Sequence, residues 1–131
     1  MLRSVADFAG VSIASACRII KEVSGSIAEL GERYIKMPST NQELEVIAAE
    51  FYRKARFPRV IGAIDCTLIR IDSPGGDDAE IYRTRKQFFG VNVQTVSDCR
   101  LRIRNIVARW PGSTHDETIF NNSRLKRQFE D

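Results

Sequence analysis

The stretch Val60-Ile61-Gly62-Ala63-Ile64-Asp65-Cys66-Thr67-Leu68-Ile69-Arg70-Ile71 decides the fold. It is an apolar, β-branched run with one carboxylate in its middle. Such a run reads as the central strand of a sheet covered on both faces. Placing Asp65 inside it costs free energy unless a cation or a strong donor compensates. Two readings compete: a carboxylate paired with an arginine or capping a turn, or a ligand for a metal ion.

Upstream the pattern is helical. Ser4 and Asp7 have capping-box spacing, Ser12 can cap a second helix, and Gly10 between them permits a sharp turn. Val5 to Val23 therefore reads as a helix-turn-helix-like pair. Its Ala-Gly-Val-Ser segment with Arg18 beyond is similar to the DNA-reading helices of bacterial repressors. The exposed face of the second helix would carry Ala14, Cys17, Arg18 and Lys21. That face is poor for direct base readout, with only Arg18 suited to guanine. A short helix is expected over 26–35, broken by Met37-Pro38-Ser39. Thr40 and Glu43 then make a second capping box, and Leu44, Ile47, Ala48 and Phe51 mark an amphipathic helix over 41–55. Composition switches at Phe57-Pro58, which sets a domain boundary near residue 57.

Downstream, Asp72 to Asp78 is turn-rich and Tyr82 to Gln87 is basic. Gly90 to Asp98 alternates apolar and polar residues, as a half-buried strand does. Cys99-Arg100 reads as a tight turn and Leu101 to Ala108 as a third strand. Trp110-Pro111-Gly112 reads as a stop, and 117–128 as one helix burying Ile119, Phe120 and Leu125.

The chain has 131 residues and a net charge of +3, too mild to announce a nucleic-acid partner. Its distribution says more, since seven basic residues from Arg83 to Arg109 share that span with one acid, Asp98. A solvated strand face accounts for such a run equally well. Three cysteines without metal-type spacing read as reduced thiols of an intracellular protein. No apolar run is long enough for a bilayer and no signal peptide opens the chain, so no membrane partner is expected.

Three antiparallel-connected strands, with an acid on the first and a helix after the third, open a ribonuclease-H-like fold. The expectation is an α+β or α/β chain: a helical, helix-turn-helix-like region over 1–57, then the first half of such a domain over 58–131. The residues also resemble a family. Gly62-Ala63-Ile64-Asp65-Cys66-Thr67 is similar to the Gly-x-Ile-Asp-Gly-Thr block of Harbinger-type transposases and the nucleases derived from them. Arg85-Lys86 followed by Asn92-Val93-Gln94 resembles their second block. Trp110-Pro111-Gly112-Ser113-Thr114-His115-Asp116 matches their Trp-Pro-Gly-Ser-x-His-Asp block. Cys66 and Gln87 stand where the family has glycine. The family's later Gly-Asp-Ser-Gly-Tyr block and final glutamate, which carry two of its catalytic acids, are not in this sequence. A fragment unable to cleave DNA by itself is therefore expected, with an apolar sheet edge left open.

The resemblance implies a DDE-superfamily endonuclease acting on DNA phosphodiesters with Mg²⁺ or Mn²⁺, two ions stabilising the attacking and leaving oxygens. Carboxylates suit those ions, and Asp65 is the first ligand by both routes. For the second, Asp116 follows a strand parallel to the first and returns to the same end of the sheet, whereas Asp98 lies at the opposite end. Asp116 also has capping-box spacing with Ser113. His115 reads equally as structural. Arg85 and Lys86 are candidate phosphate contacts, with Arg18 and Lys21 on the helical region. The family further implies a nuclear protein, with the cytoplasm as a second location, working with a Myb-like DNA-binding partner; oligomeric state stays open. The alternative is a non-catalytic DNA-binding or protein-interaction module using the helix-turn-helix.

Overall fold

A computed structural model describes residues 2–130. They divide between Ile35 and Lys36 into two compact units. The helix over 41–55 thus belongs with the sheet, and the boundary expected near residue 57 is corrected to 35/36. The composition switch at Phe57-Pro58 marks a change from helix to strand, not a change of core.

The first unit is two helices, α1 (Leu2–Ala9) and α2 (Ile13–Tyr34). Gly10 sits at φ +65° in the turn between them, a conformation glycine adopts without strain. Ser12 caps α2 by accepting from Ser15 N at 3.1 Å. Ala6 and Ala16 are the buried residues of the pair. Two expectations fail. α1 starts ahead of Ser4, so Ser4 lies inside the helix and caps nothing. α2 runs unbroken through Ser24-Gly25-Ser26, so no separate helix begins at Ser26. Serine and glycine lower helix propensity there, but the surrounding Ile, Val and Leu keep the helical phase.

The second unit opens with α3 (Asn41–Ala55), whose Thr40–Glu43 capping box is complete. Three strands follow: β1 (Ala63–Arg70), β2 (Gly90–Ser97) and β3 (Ile103–Pro111). A short 3₁₀ helix, Asp77–Tyr82, lies between β1 and β2. The sheet order is β1-β2-β3, antiparallel throughout. This corrects the placing of β1, which lies at an edge and is largely exposed, Ile64 at 46 % and Ile69 at 50 %. The central, buried strand is β2, where Asn92, Val93, Gln94 and Val96 are all buried. An apolar run identifies a strand that can be covered on both faces; it does not fix which strands flank it.

β3 begins two residues later than expected and continues through Trp110-Pro111. Its start is delayed because Asp98 gathers the intervening turn. The buried Asp98 carboxylate accepts from Arg100 N and Arg102 N, and pairs with the guanidinium groups of Arg102 and Arg104. Pro111 is tolerated because it ends the strand. The single helix expected over 117–128 is two, α4 (Asp116–Asn121) and α5 (Arg124–Glu130). Ser123 separates them: its Oγ donates to Phe120 O at 2.7 Å and accepts from Lys126 N at 3.1 Å. α4 packs on β2 through the fully buried Ile119. α3 is tied to the β2–β3 turn by Glu50, which takes both the Arg100 guanidinium and the Cys99 thiol, and by Lys54, which donates to Cys99 O at 3.0 Å.

Candidate active site

Strand register determines which side chains meet. Cys66 is paired with Gln94 and Leu68 with Asn92, so these four share one face of the sheet, the face on which α4 packs. A register shift in β3 opposite Asn92–Gln94 marks a β-bulge where the two amides sit. Bulges are over-represented beside active sites, where they re-aim side chains. Next to this point is a cleft of about 220 Å³ lined by Ile64, Asp65, Cys66, Gln94, Asp116 and Phe120.

The cleft brings together the two acids singled out from the sequence. Asp65 is mid-strand, opposite Thr95, and makes no ion pair among the described residues. By strand alternation it belongs to the other face, and it borders the cleft from the edge of β1. Its Oδ1 accepts from Cys66 N at 2.9 Å. Asp116 is the first residue of α4, and its Oδ1 accepts from the buried Asn92 Nδ2 at 2.9 Å. The same amide donates to Thr114 O at 2.9 Å, so Asn92 fixes both the loop and the carboxylate. The capping box expected between Ser113 and Asp116 is not formed. The N-cap is His115, and it makes no side-chain cap bond.

Cys66 lies between the acids. Burial pushes its thiol up; the Gln94 amide opposes this, and the charges of Asp116 and Asp65 push it further up. Gln94 Nε2 faces Cys66 Sγ at 3.8 Å, while the buried Gln94 Oε1 and Asn92 Oδ1 have no hydrogen-bond partner. Among the described residues no group of three or more His, Cys, Asp or Glu is placed to hold a metal ion. The donors present are carboxylate and amide oxygens, hard ligands that fit Mg²⁺ or Mn²⁺.

The basic candidates separate. Arg85 is exposed, and its Nη2 lies 2.8 Å from His115 Nδ1. A guanidinium only donates, so Nδ1 accepts and the imidazole proton sits on Nε2. Arg85 is thereby brought beside the residue preceding Asp116, and Lys86 is exposed next to it. Most of the remaining basic run is structural. Arg83 pairs with Glu80, Arg100 with Glu50, and Arg102 and Arg104 with Asp98. Burial pushes the Asp98 carboxyl up, but the bonds from Arg102, Arg100 and Arg104 outweigh it and hold it below its ordinary range. Asp98 is a turn-former. In the first unit, Arg18 and Lys21 are exposed on α2, lining a shallow depression with Glu22 and Glu29.

Sequence reasoning missed the amides. Asn92 and Gln94 entered only as letters of a motif and of an alternating strand. Alternation with Val91 and Val93 put the two amides on the polar face of a half-buried strand, so their burial carried no signal in the sequence.

Residues 64–131 match the DDE superfamily endonuclease family. Over 124 residues, 95 % of the chain, it is 33 % identical to "Putative nuclease HARBI1" of Rattus norvegicus and 32 % identical to the protein of the same name in Homo sapiens. It is 28 % identical over 105 residues, 79 % of the chain, to "Protein ALP1-like" of Arabidopsis thaliana. The matched region is 35 % of the HARBI1 proteins and 26 % of the plant protein, so the chain spans about a third or less of the length of these relatives. No solved structure matches it.

Proposed function

Since the chain belongs to the DDE superfamily endonuclease family, we propose that it supplies the first two acids of a divalent-metal-dependent nuclease centre for DNA phosphodiesters. The observation that carries this reading is a single cleft lined by both Asp65 and Asp116. Mg²⁺ or Mn²⁺ held there supplies charge stabilisation at the scissile phosphate. Asp65 contributes a carboxylate from the edge of β1. Asp116 contributes a second, held in direction by Asn92. Arg85, oriented by His115, and Lys86 lie where a phosphate approaching Asp116 gains charge-assisted contacts.

Two carboxylates hold one ion weakly, with water completing its shell. The polypeptide 1–131 by itself is therefore expected not to cut DNA at a measurable rate. The direct test is Mn²⁺ titration followed by the free-ion electron paramagnetic resonance signal, with Asp65→Asn and Asp116→Asn beside the wild type. Uptake lost in both variants supports the assignment; uptake unchanged in both overturns it. Plasmid nicking by 1–131 that disappears in Asp65→Ala would show that this part suffices for catalysis.

A second reading rests on Arg18 and Lys21, exposed together on α2. The helical pair then contributes a weak, phosphate-directed DNA contact, with sequence choice left to a Myb-like partner. Nuclear residence goes with either reading.

A further inference from the structure

We infer that the side-chain oxygen of Gln94 is a third ligand for the divalent cation assigned to Asp65 and Asp116, an inference that rests on that assignment. Gln94 is 1 % exposed, yet its Oε1 has no hydrogen-bond partner. A buried amide oxygen left without a donor costs free energy, which a bound ion offsets. At its other end Nε2 faces Cys66 Sγ at 3.8 Å. That leaves the oxygen as the free end of a residue that lines the cleft.

The acids are occupied in a matching way. Asp65 Oδ1 is taken by Cys66 N and Asp116 Oδ1 by Asn92 Nδ2. Among the described residues, the second oxygen of Asp65 makes no hydrogen bond, while the Asp116 carboxylate also faces the Cys66 thiol, so Asp65 and Gln94 each keep an unpartnered oxygen on residues that line one cleft. The residue types that usually complete such a set do not: His, Cys, Asp and Glu form no group of three. An amide oxygen is the remaining hard donor. It adds no charge, so two carboxylates and a dication stay balanced, and amide oxygens are ordinary ligands for hard cations. The position is also rigid, since Gln94 sits on the buried central strand beside the bulge that interrupts β3 pairing.

The test compares Mn²⁺ dissociation constants of wild type, Gln94→Met, Gln94→Glu and Asp65→Asn, with far-ultraviolet circular dichroism to establish that each is folded. Removing the oxygen in Gln94→Met is expected to weaken Mn²⁺ at least tenfold, and Gln94→Glu to tighten it by a similar factor. Wild-type affinity in Gln94→Met together with loss in Asp65→Asn would overturn the role of Gln94 and leave the cation site standing. Equal binding by wild type and Asp65→Asn would remove the site itself, and the inference with it. Should Gln94→Met not fold, Gln94→Glu decides: affinity no better than wild type overturns the proposal.

Discussion

Asn92 Nδ2 lies 2.9 Å from Asp116 Oδ1, so a buried amide on the middle strand sets the direction of an exposed carboxylate on α4. Replacing Asn92 with Leu removes this bond and the one to Thr114 O. We expect a stability loss of about 1–3 kcal/mol by urea denaturation and a fall of roughly tenfold in Mn²⁺ affinity. If stability falls while Mn²⁺ affinity holds, Asn92 fastens the loop and nothing more.

Gly112 closes the Trp-Pro-Gly segment where the chain has no room. A Cβ there would lie 2.7 Å from Gly90 O, 2.7 Å from Thr84 Cγ2 and 2.9 Å from Tyr82 O. Two of these are backbone atoms, so the conflict cannot be relieved by a rotamer change. Gly112→Ala is expected to cost about 1–3 kcal/mol and to shift the Thr114–Asp116 loop. Thermal denaturation checks the first; an unchanged melting temperature would show that the segment yields easily.

Glu50 gives the second unit a defined acid sensitivity. The Arg100 guanidinium first, and then the Cys99 thiol, hold its carboxyl below the ordinary range. A depressed folded-state pKa stabilises at pH above the unfolded carboxylate value of about 4.3, and that stability is lost as pH falls through the folded value. The melting temperature should therefore be insensitive to this group from pH 7 to about 5 and then drop faster for wild type than for Glu50→Gln. Parallel curves below pH 4 would rule out the contribution of this pair.

The first unit should bind DNA weakly and without marked sequence preference. Arg18 and Lys21 share their surface with Glu22 and Glu29, which oppose a phosphate. With two phosphate contacts, the logarithm of affinity should fall against the logarithm of salt with a slope of about −2. Fluorescence anisotropy on residues 1–35 measures it. Tight, sequence-specific binding that persists at high salt would refute this reading of α2.

What the sequence disclosed was local. The Thr40–Glu43 cap of α3, the Ser12 cap of α2 and the alternation of β2 are each written in residues a few positions apart. Asp65 and Asp116 were legible as candidates because motif letters identify them without knowledge of their neighbours. The partners that give those acids a setting were not. Asn92 meets Asp116 across 24 positions and Gln94 meets Cys66 across 28, and no periodicity reports such pairings. The same distance hid Glu50–Arg100, which made the basic run look freer than it is. The edge position of β1 escaped for a related reason: an apolar run encodes the wish for cover, and sheet order is decided by the strands that pair with it.

The chain-order sheet also constrains the time course of folding. Because β2 ends at Ser97 and β3 begins at Ile103, their pairing closes a short loop, and such contacts form early. The clamp between Glu50 and Arg100 bridges 50 positions and can only be fastened once the β2–β3 turn presents Arg100. It is therefore expected to form after the rate-limiting barrier to folding. Losing it in Glu50→Gln should leave the refolding limb of a chevron plot nearly unmoved and raise the unfolding rate, so the clamp sets how long the folded unit lasts and not how quickly it is reached.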